Sequence, residues 1–226
     1  MVMRCISLLY LSCKRWKPGG TKKASSCQNT MAFDELSAGM YNKAGFVPYP
    51  SKESPMPIIS ISHTGSTALG DLWVAVSENG LVAVKFPATQ DEFTAWLGKH
   101  HDAQIEFDAE KAREAVEQLR EYISGQLREF SLPIDWWVLS EFQRKALELT
   151  FAIPYGETRT YKEIAAELGN PRAARAVGRA EATNPMPVVI PCHRVLGSDH
   201  KLHGYGAGAG LDTKTWLLRL EGAVIP

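Results

Sequence analysis

The chain is 226 residues long, with 25 Lys and Arg against 25 Asp and Glu, 45% hydrophobic residues and 4 Cys. That length holds one medium domain or two small ones, and the apolar and charged fractions are those of an ordinary soluble globular protein. The zero net charge excludes a generic polycation for nucleic acid, no run approaches the ~20 apolar residues of a membrane span, and Cys5, Cys13, Cys27 and Cys192 form no CxxC pair, which argues against a disulfide framework or a zinc site of ordinary spacing.

Charge is nonetheless uneven along the chain. Residues 1–55 carry 8 Lys and Arg against 3 Asp and Glu, residues 56–135 carry 6 against 13, and residues 136–226 carry 11 against 9. In the last third the basic excess sits mostly on Arg172, Arg175, Arg179 and Arg194, a local patch suited to salt-sensitive contact with phosphates.

Residues 1–30 hold Arg4, Lys14, Arg15, Lys17, Lys22 and Lys23 and no acid, so they read either as a transit peptide or, preferred here, as a disordered extension upstream of a native start at Met31. Pro48, Pro50, Pro55 and Pro57 mark a linker, which makes 1–56 a leader and linker. From there Ile58–Ile61, Leu72–Val76 and Leu81–Phe86 read as strands, the last two joined by Asn79-Gly80, a strong hairpin signal. A short helix over Asp91–Lys99, a strand over Gln104–Phe107 and a firmer helix from Asp108 as N-cap to Gly125 complete a small α/β domain over 57–135, expected to be a scaffold. His63, His100 and His101 lack spaced partners and are taken as surface residues.

Ser131–Leu139 crosses to a second domain, 136–226. Ser140 and Gln143 form an apparent capping box for a helix with Phe142, Ala146, Leu149 and Ile153 inward, ending at Pro154. A second box, Thr160 with Glu163, opens a short helix closing at Gly169, and Asn170-Pro171 starts another through Ala180. Two short helices across a tight Gly turn make a helix-turn-helix. The second helix has few side chains able to read base edges, whereas its Ala and Gly residues allow close approach to a surface. Thr213–Glu221, with Trp216, Leu217 and Leu220 inward, should be the closing helix.

The chemistry concentrates in Val188-Val189-Ile190-Pro191-Cys192-His193-Arg194-Val195. A lone buried cysteine is usually just a small hydrophobe. With a base or a positive charge beside it, its thiolate becomes a strong nucleophile. Neighbouring side chains of a strand point to opposite faces, so Cys192 and His193 can cooperate only if the chain bends into a helical turn after Pro191.

The segment Ile190–Val195, with Thr160-Tyr161 and Arg175-Ala176-Val177-Gly178 upstream and Gly204-Tyr205 and Trp216-Leu217-Leu218 downstream, resembles the methylated-DNA--protein-cysteine methyltransferases over residues 140–222. The resemblance implies an α/β plus α fold, with a small N-terminal ribonuclease H-like domain and a C-terminal winged-helix, helix-turn-helix domain carrying the active cysteine. It also implies repair by irreversible, single-turnover transfer of an alkyl group from O6 of guanine, with O4 of thymine as a second candidate, to Cys192. The target base must first be extruded from the duplex. By the same resemblance His193 takes the thiol proton through a water, Glu221 orients His193, and Asn184 with Pro185 forms a hinge. Arg175 intercalates, Tyr161 presses on the 3′ phosphate, and Lys162, Asn170, Arg172 and Ser198 match phosphate contacts. Pro187, Val195, Tyr205 and Gly206 fall where the family lines its alkyl pocket. A carboxylate at a helix C-terminus, as at Glu221, also opposes the helix dipole unless a partner compensates.

Departures from the family pattern are a slightly longer stretch between Tyr205 and Trp216, Ala146-Leu147 where Val-Trp is common, Thr183 where Gly often precedes the Asn-Pro, and Arg179 where a small residue is usual. No zinc ligands of the vertebrate type are recognisable. The implied partner is double-stranded DNA with alkylated guanine, bound by a monomer without cofactor, metal or membrane, in the cytoplasm and nucleoid or the nucleus. The alternatives are a non-catalytic lesion-binding protein on the same fold, whose known members lack the cysteine, and a cysteine hydrolase, for which no oxyanion-stabilising signature is present.

Overall fold

Short apolar runs, buried on both faces, build the first layer. In the computed structural model, which describes residues 56–224, β1 (Ile58–His63), β2 (Trp73–Ser77), β3 (Gly80–Lys85) and β4 (Gln104–Phe107) form a four-stranded sheet of order β3-β2-β1-β4. β1 and β2, and β2 and β3, run antiparallel. β4 lies parallel to β1 on its far side, in register Ile59 to Ile105, a pairing that no local pattern announces. Side chains of successive strand residues leave opposite faces. Accordingly Leu72 and Val74 join one apolar cluster with α2 (Arg113–Ile123), while Trp73 and Ala75 join another with Phe93 and Leu97 of α1 (Gln90–His100). Val82 is an extra residue between the pairs Val76–Leu81 and Ala75–Ala83, and this bulge explains why Val82 and Ala83 both fall in the α1 cluster.

The expected helices form, with different caps. Thr89 and Glu92 make a reciprocal capping box for α1. Asp108 does not cap α2: its carboxylate accepts from Glu110 and Lys111 N–H in a preceding turn, and the helix starts after Ala112. α3 (Glu141–Phe151) follows Ser140, but the Ser140–Gln143 box is not made, because the Gln143 amide donates instead to the carbonyl and hydroxyl of Thr183 at 3.0 and 3.1 Å. Phe142, expected inward, is 42% exposed, and Leu147 and Thr150 are buried in its stead.

The Thr160–Glu163 box opens α4 (Tyr161–Glu167) as expected. Asn170 caps a 3-10 turn, Pro171–Ala173, which runs into α5 (Ala174–Ala182). α4 and α5 sit on a small cluster of Ile153, Ile164, Ala165, Val177 and Val195. Beside them β5 (Arg159–Thr160) pairs in parallel with β6 (Val195–Leu196), and α6 (Leu211–Leu220) closes the chain with Leu217 and Leu218 fully buried.

The largest apolar cluster crosses the border between the two sequence segments. Val74, Leu81, Leu119 and Tyr122 from the first segment meet Leu147, Met186, Val188 and Leu217 from the second. The crossing segment seals it: Leu81 N–H donates to the Pro133 carbonyl and Asp135 N–H to the Leu81 carbonyl. That approach requires a glycine, since Gly80 has φ +134° and a Cβ there would sit 2.4 Å from the Pro133 carbonyl oxygen. Gly80→Ala should therefore destabilise the fold by about 1–3 kcal/mol or more, and clearly more than Gly70→Ala, where φ is +88° but the Cβ meets nothing. Thermal unfolding of the two variants checks this.

Candidate active site

Four segments meet at one carboxylate. Glu221, the C-cap of α6, has a fully buried side chain. Its Oε1 accepts from His193 Nε2 at 2.6 Å, from Arg194 Nη2 at 3.1 Å and from the Tyr122 hydroxyl of α2. Its Oε2 accepts from Arg194 Nε at 2.9 Å and from Gly156 N–H at 3.0 Å. Burial works to raise its pKa, but His193 and the Arg194 guanidinium overcome this and bring it down to about 2. Glu221 is thus a carboxylate and accepts only, so the His193 proton sits on Nε2 and the lone pair on Nδ1. That Nδ1 is buried, and among the described residues it has no hydrogen-bond partner. Burial also lowers the His193 pKa, which keeps the ring neutral and able to take a proton.

The bend that the motif demands is present. Cys192–Arg194 is a single 3-10 turn after Pro191. The apolar run ahead of it is a tight turn: Pro187 bridges Ile190, and Val188 is buried at φ +76°. A β-branched residue rarely adopts such a φ. The Asn184 side chain holds the turn, accepting from Met186 N–H at 2.9 Å and donating from Nδ2 to the Ile190 carbonyl at 2.9 Å and to Cys192 Sγ at 3.3 Å.

Cys192 lies on the wall of a cavity of about 420 Å³ lined also by Tyr161, Gly178, Glu181, His203, Tyr205 and Gly206. Burial, with the Glu181 charge, pushes the thiol up to about 12, opposed by the Asn184 hydrogen bond and by Lys214. Lys214 is itself buried, its ammonium donating to the carbonyls of Val195 at 2.7 Å and His203 at 3.1 Å, and burial lowers it to about 8. Glu181, 5% exposed, accepts from the Thr150 hydroxyl at 2.6 Å; burial raises it to about 7.

Of the residues singled out in the sequence, Cys192, Tyr161, Tyr205 and Gly206 meet at the cavity, Asn184 touches the thiol, and His193, next to Cys192 in the chain, forms a buried pair with Glu221. Pro187 and Val195 are not among the lining residues: both are buried, and Val195 packs under α4 and α5. Arg175 is exposed on α5 one turn before Gly178, and Lys162, Asn170, Arg172 and Ser198 are exposed as well, the Asn170 side chain being engaged with Arg172 N–H. Arg194 leaves the expected basic patch altogether, because its guanidinium is buried against Glu221 and the Ile153 carbonyl. Arg194, read from the sequence as a positive charge able to act on the thiol, is spent on Glu221. Tyr122, Lys214 and Glu181 were not legible as site residues; a charged residue inside an apolar pattern, as at Lys214 in α6, is the one signal that could have found any of them. Among the described residues no group of three or more His, Cys, Asp or Glu is arranged to hold a metal, and no helix is long and apolar enough to cross a membrane.

Residues 61–136 match the family profile of the 6-O-methylguanine DNA methyltransferase ribonuclease-like domain, and residues 141–223 that of its DNA binding domain. A methylated-DNA--protein-cysteine methyltransferase of Methanosarcina acetivorans is 41% identical over 155 residues, which are 69% of this chain and 94% of the relative. The chain belongs to the methylated-DNA--protein-cysteine methyltransferase family. The constitutive enzyme of that name from Bacillus subtilis is 37% identical over 70% of this chain and 93% of its own. Among solved structures, Mycobacterium tuberculosis OGT in complex with DNA superposes with a TM-score of 0.57 at 33% identity, covering 73% of this chain and 92% of that one. The two-domain architecture of the methyltransferase family, ribonuclease-like then DNA-binding, is thus the architecture of this chain.

Two expectations follow from the charges of this site. Arg194→Met leaves Glu221 ionised without its cation and should cost about 3–5 kcal/mol; adding Glu221→Gln should return a measurable part, as read by urea midpoints. Glu181 has a folded pKa of about 7, above its ordinary 4.5, so its proton stabilises the fold fully below about pH 4.5 and that contribution is lost as pH rises through 7. Glu181→Gln, which does not titrate, should therefore gain in unfolding temperature on the wild type between pH 5 and pH 8.

Proposed function

We infer that the protein repairs alkylated DNA by moving a methyl or other alkyl group from guanine O6 to the sulfur of Cys192, once per molecule. The observation that carries this reading is the thiol on the wall of an open cavity, hydrogen-bonded to Asn184 and next in chain to a neutral imidazole whose far nitrogen is held by Glu221. Burial holds the resting thiol up, at about 12, so the sulfur is protonated at neutral pH. Proton removal therefore belongs to the reaction itself. His193 Nδ1, the basic nitrogen of this tautomer, takes the thiol proton through a water, and the Asn184 amide and the Lys214 charge favour the sulfur anion that forms. The S–C bond forms as the C–O6 bond breaks, and guanine leaves and takes up a proton. The step balances without a cofactor. Its product is a thioether, which no group in the cavity is equipped to cleave, so each molecule acts once.

Double-stranded DNA is the partner that this reading requires. α5 offers small residues and Arg175 toward the duplex, an arrangement suited to inspection of the minor groove. Arg175 fills the gap left by the extruded base, Tyr161 presses on the phosphate beside it, and Lys162, Asn170, Arg172 and Ser198 contact the backbone. Tyr205 and Gly206 form the pocket wall. Residues 57–135 act as the scaffold and 136–226 as the DNA-binding and transfer domain of a monomer working where the cell keeps its DNA.

The test is an intact mass. After mixing with a duplex containing O6-methylguanine, the wild type should gain one methylene unit and Cys192→Ala none; an unchanged wild-type mass would leave only lesion binding or another activity. Arg175→Ala should slow transfer from the duplex far more than transfer from the free base, and equal slowing of both would remove Arg175 from base extrusion.

A further inference from the structure

The cavity has a second ionisable wall besides the thiol. Glu181 projects from α5 with 5% exposure. Its Oε1 accepts the Thr150 hydroxyl of α3, while its Oε2 is shut off from water and, among the described residues, has no partner. The titratable groups around it are Cys192 from the 3-10 turn, Tyr161 from α4, Lys214 from α6, and His203 and Tyr205 from the loop before α6. Arg175 and Arg179 share its helix but are exposed to solvent. Lys214, the cation that acts on it, is committed to two carbonyls and forms no ion pair with it. A buried carboxyl without a cation keeps its proton. The Thr150 hydroxyl stands 2.6 Å from Oε1 and 3.1 Å from the Ala146 carbonyl; with its single proton given to Oε1, the nearer of the two, the carboxyl proton belongs on Oε2, where the protein supplies nothing to receive it.

Resting on the reading of Cys192 as the alkyl acceptor, we propose that Glu181 is a further catalytic residue, whose Oε2–H hydrogen-bonds the extruded base and passes its proton to guanine as the C–O6 bond breaks. The electron pair of that bond goes to the guanine, which takes the Glu181 proton. The thiol proton goes to His193 as the S–C bond forms. The step leaves His193 protonated and Glu181 ionised, and because each molecule acts once neither has to be reset, so charge and atoms balance. Burial, opposed by the Thr150 hydrogen bond and by Lys214, brings the Glu181 pKa to about 7, close to the operating pH that best suits a general acid. Above that value the acid is lost, and the carboxylate that replaces it also raises the thiol pKa.

These two effects are separable. Single-turnover methyl transfer from a duplex with O6-methylguanine is measured for wild type and E181Q at pH 6.5 and 8.5, beside alkylation of Cys192 by iodoacetamide, whose iodide leaves without a proton. At pH 6.5 the wild type should transfer methyl at least about tenfold faster than E181Q, with equal iodoacetamide rates, and by pH 8.5 the advantage should be gone. E181M, checked with E181Q for an intact unfolding transition, should repeat the result. Equal methyl transfer at pH 6.5 overturns the proposal, and so does an iodoacetamide difference of the same size, which would assign the effect to the thiol. Both failures leave wild-type transfer intact; a wild type that transfers no methyl at all would instead bring down the alkyl-transfer reading beneath it.

Discussion

A negative charge kept dry at the end of α6 is the constraint on which the rest of the site depends. An ionised carboxylate in the interior is tolerated only with cations and donors arranged around it. Glu221 meets that requirement by drawing in Arg194 and His193 from the cysteine turn, Gly156 from the turn after α3, and Tyr122 from α2 in the ribonuclease-like half. The Tyr155 hydroxyl adds a bond to the Leu220 carbonyl beside it. A buried ion pair contributes little net stability against an apolar alternative. Here it contributes position: the same charge that fixes the cysteine turn also decides which nitrogen of His193 carries a proton.

The two buried carboxyls of the site have opposite fates for a plain reason. Glu221 is ringed by a guanidinium, an imidazole, a phenol and a backbone amide, and stays ionised. Glu181 has one hydroxyl and a cation turned elsewhere, and is pushed toward its neutral form. Environments that drive like groups apart in pKa are what allow one small site to hold an acceptor and a donor of protons at the same pH.

Much of the fold was legible in short-range pattern. Apolar, β-branched runs on either side of Asn79-Gly80 marked β2 and β3, the Thr160–Glu163 box marked α4, and the chemistry of adjacent Cys192 and His193 required the turn after Pro191. What escaped was settled at long range. The parallel docking of β4 on β1 depends on partners more than forty positions away. Gln143 had the right spacing for a capping box but found the Thr183 carbonyl, 40 residues on, a better acceptor for its amide. Arg194 counted as surface charge until a carboxylate 27 residues later claimed it. Glu181 looked like any acid on an amphipathic helix, and only the packing of α3 and α6 around it made it dry.

Lys214 ties two properties of the cavity into one. Its ammonium clamps the carbonyls of Val195 and His203, so it pins the loop that forms one side of the cavity to the strand behind the cysteine, while its charge favours sulfur as an anion. The width of the opening and the readiness of the nucleophile are therefore mechanically joined. A change that loosens the loop to admit a bulkier group would also displace this cation from the sulfur, and breadth of substrate would come with a more sluggish thiol.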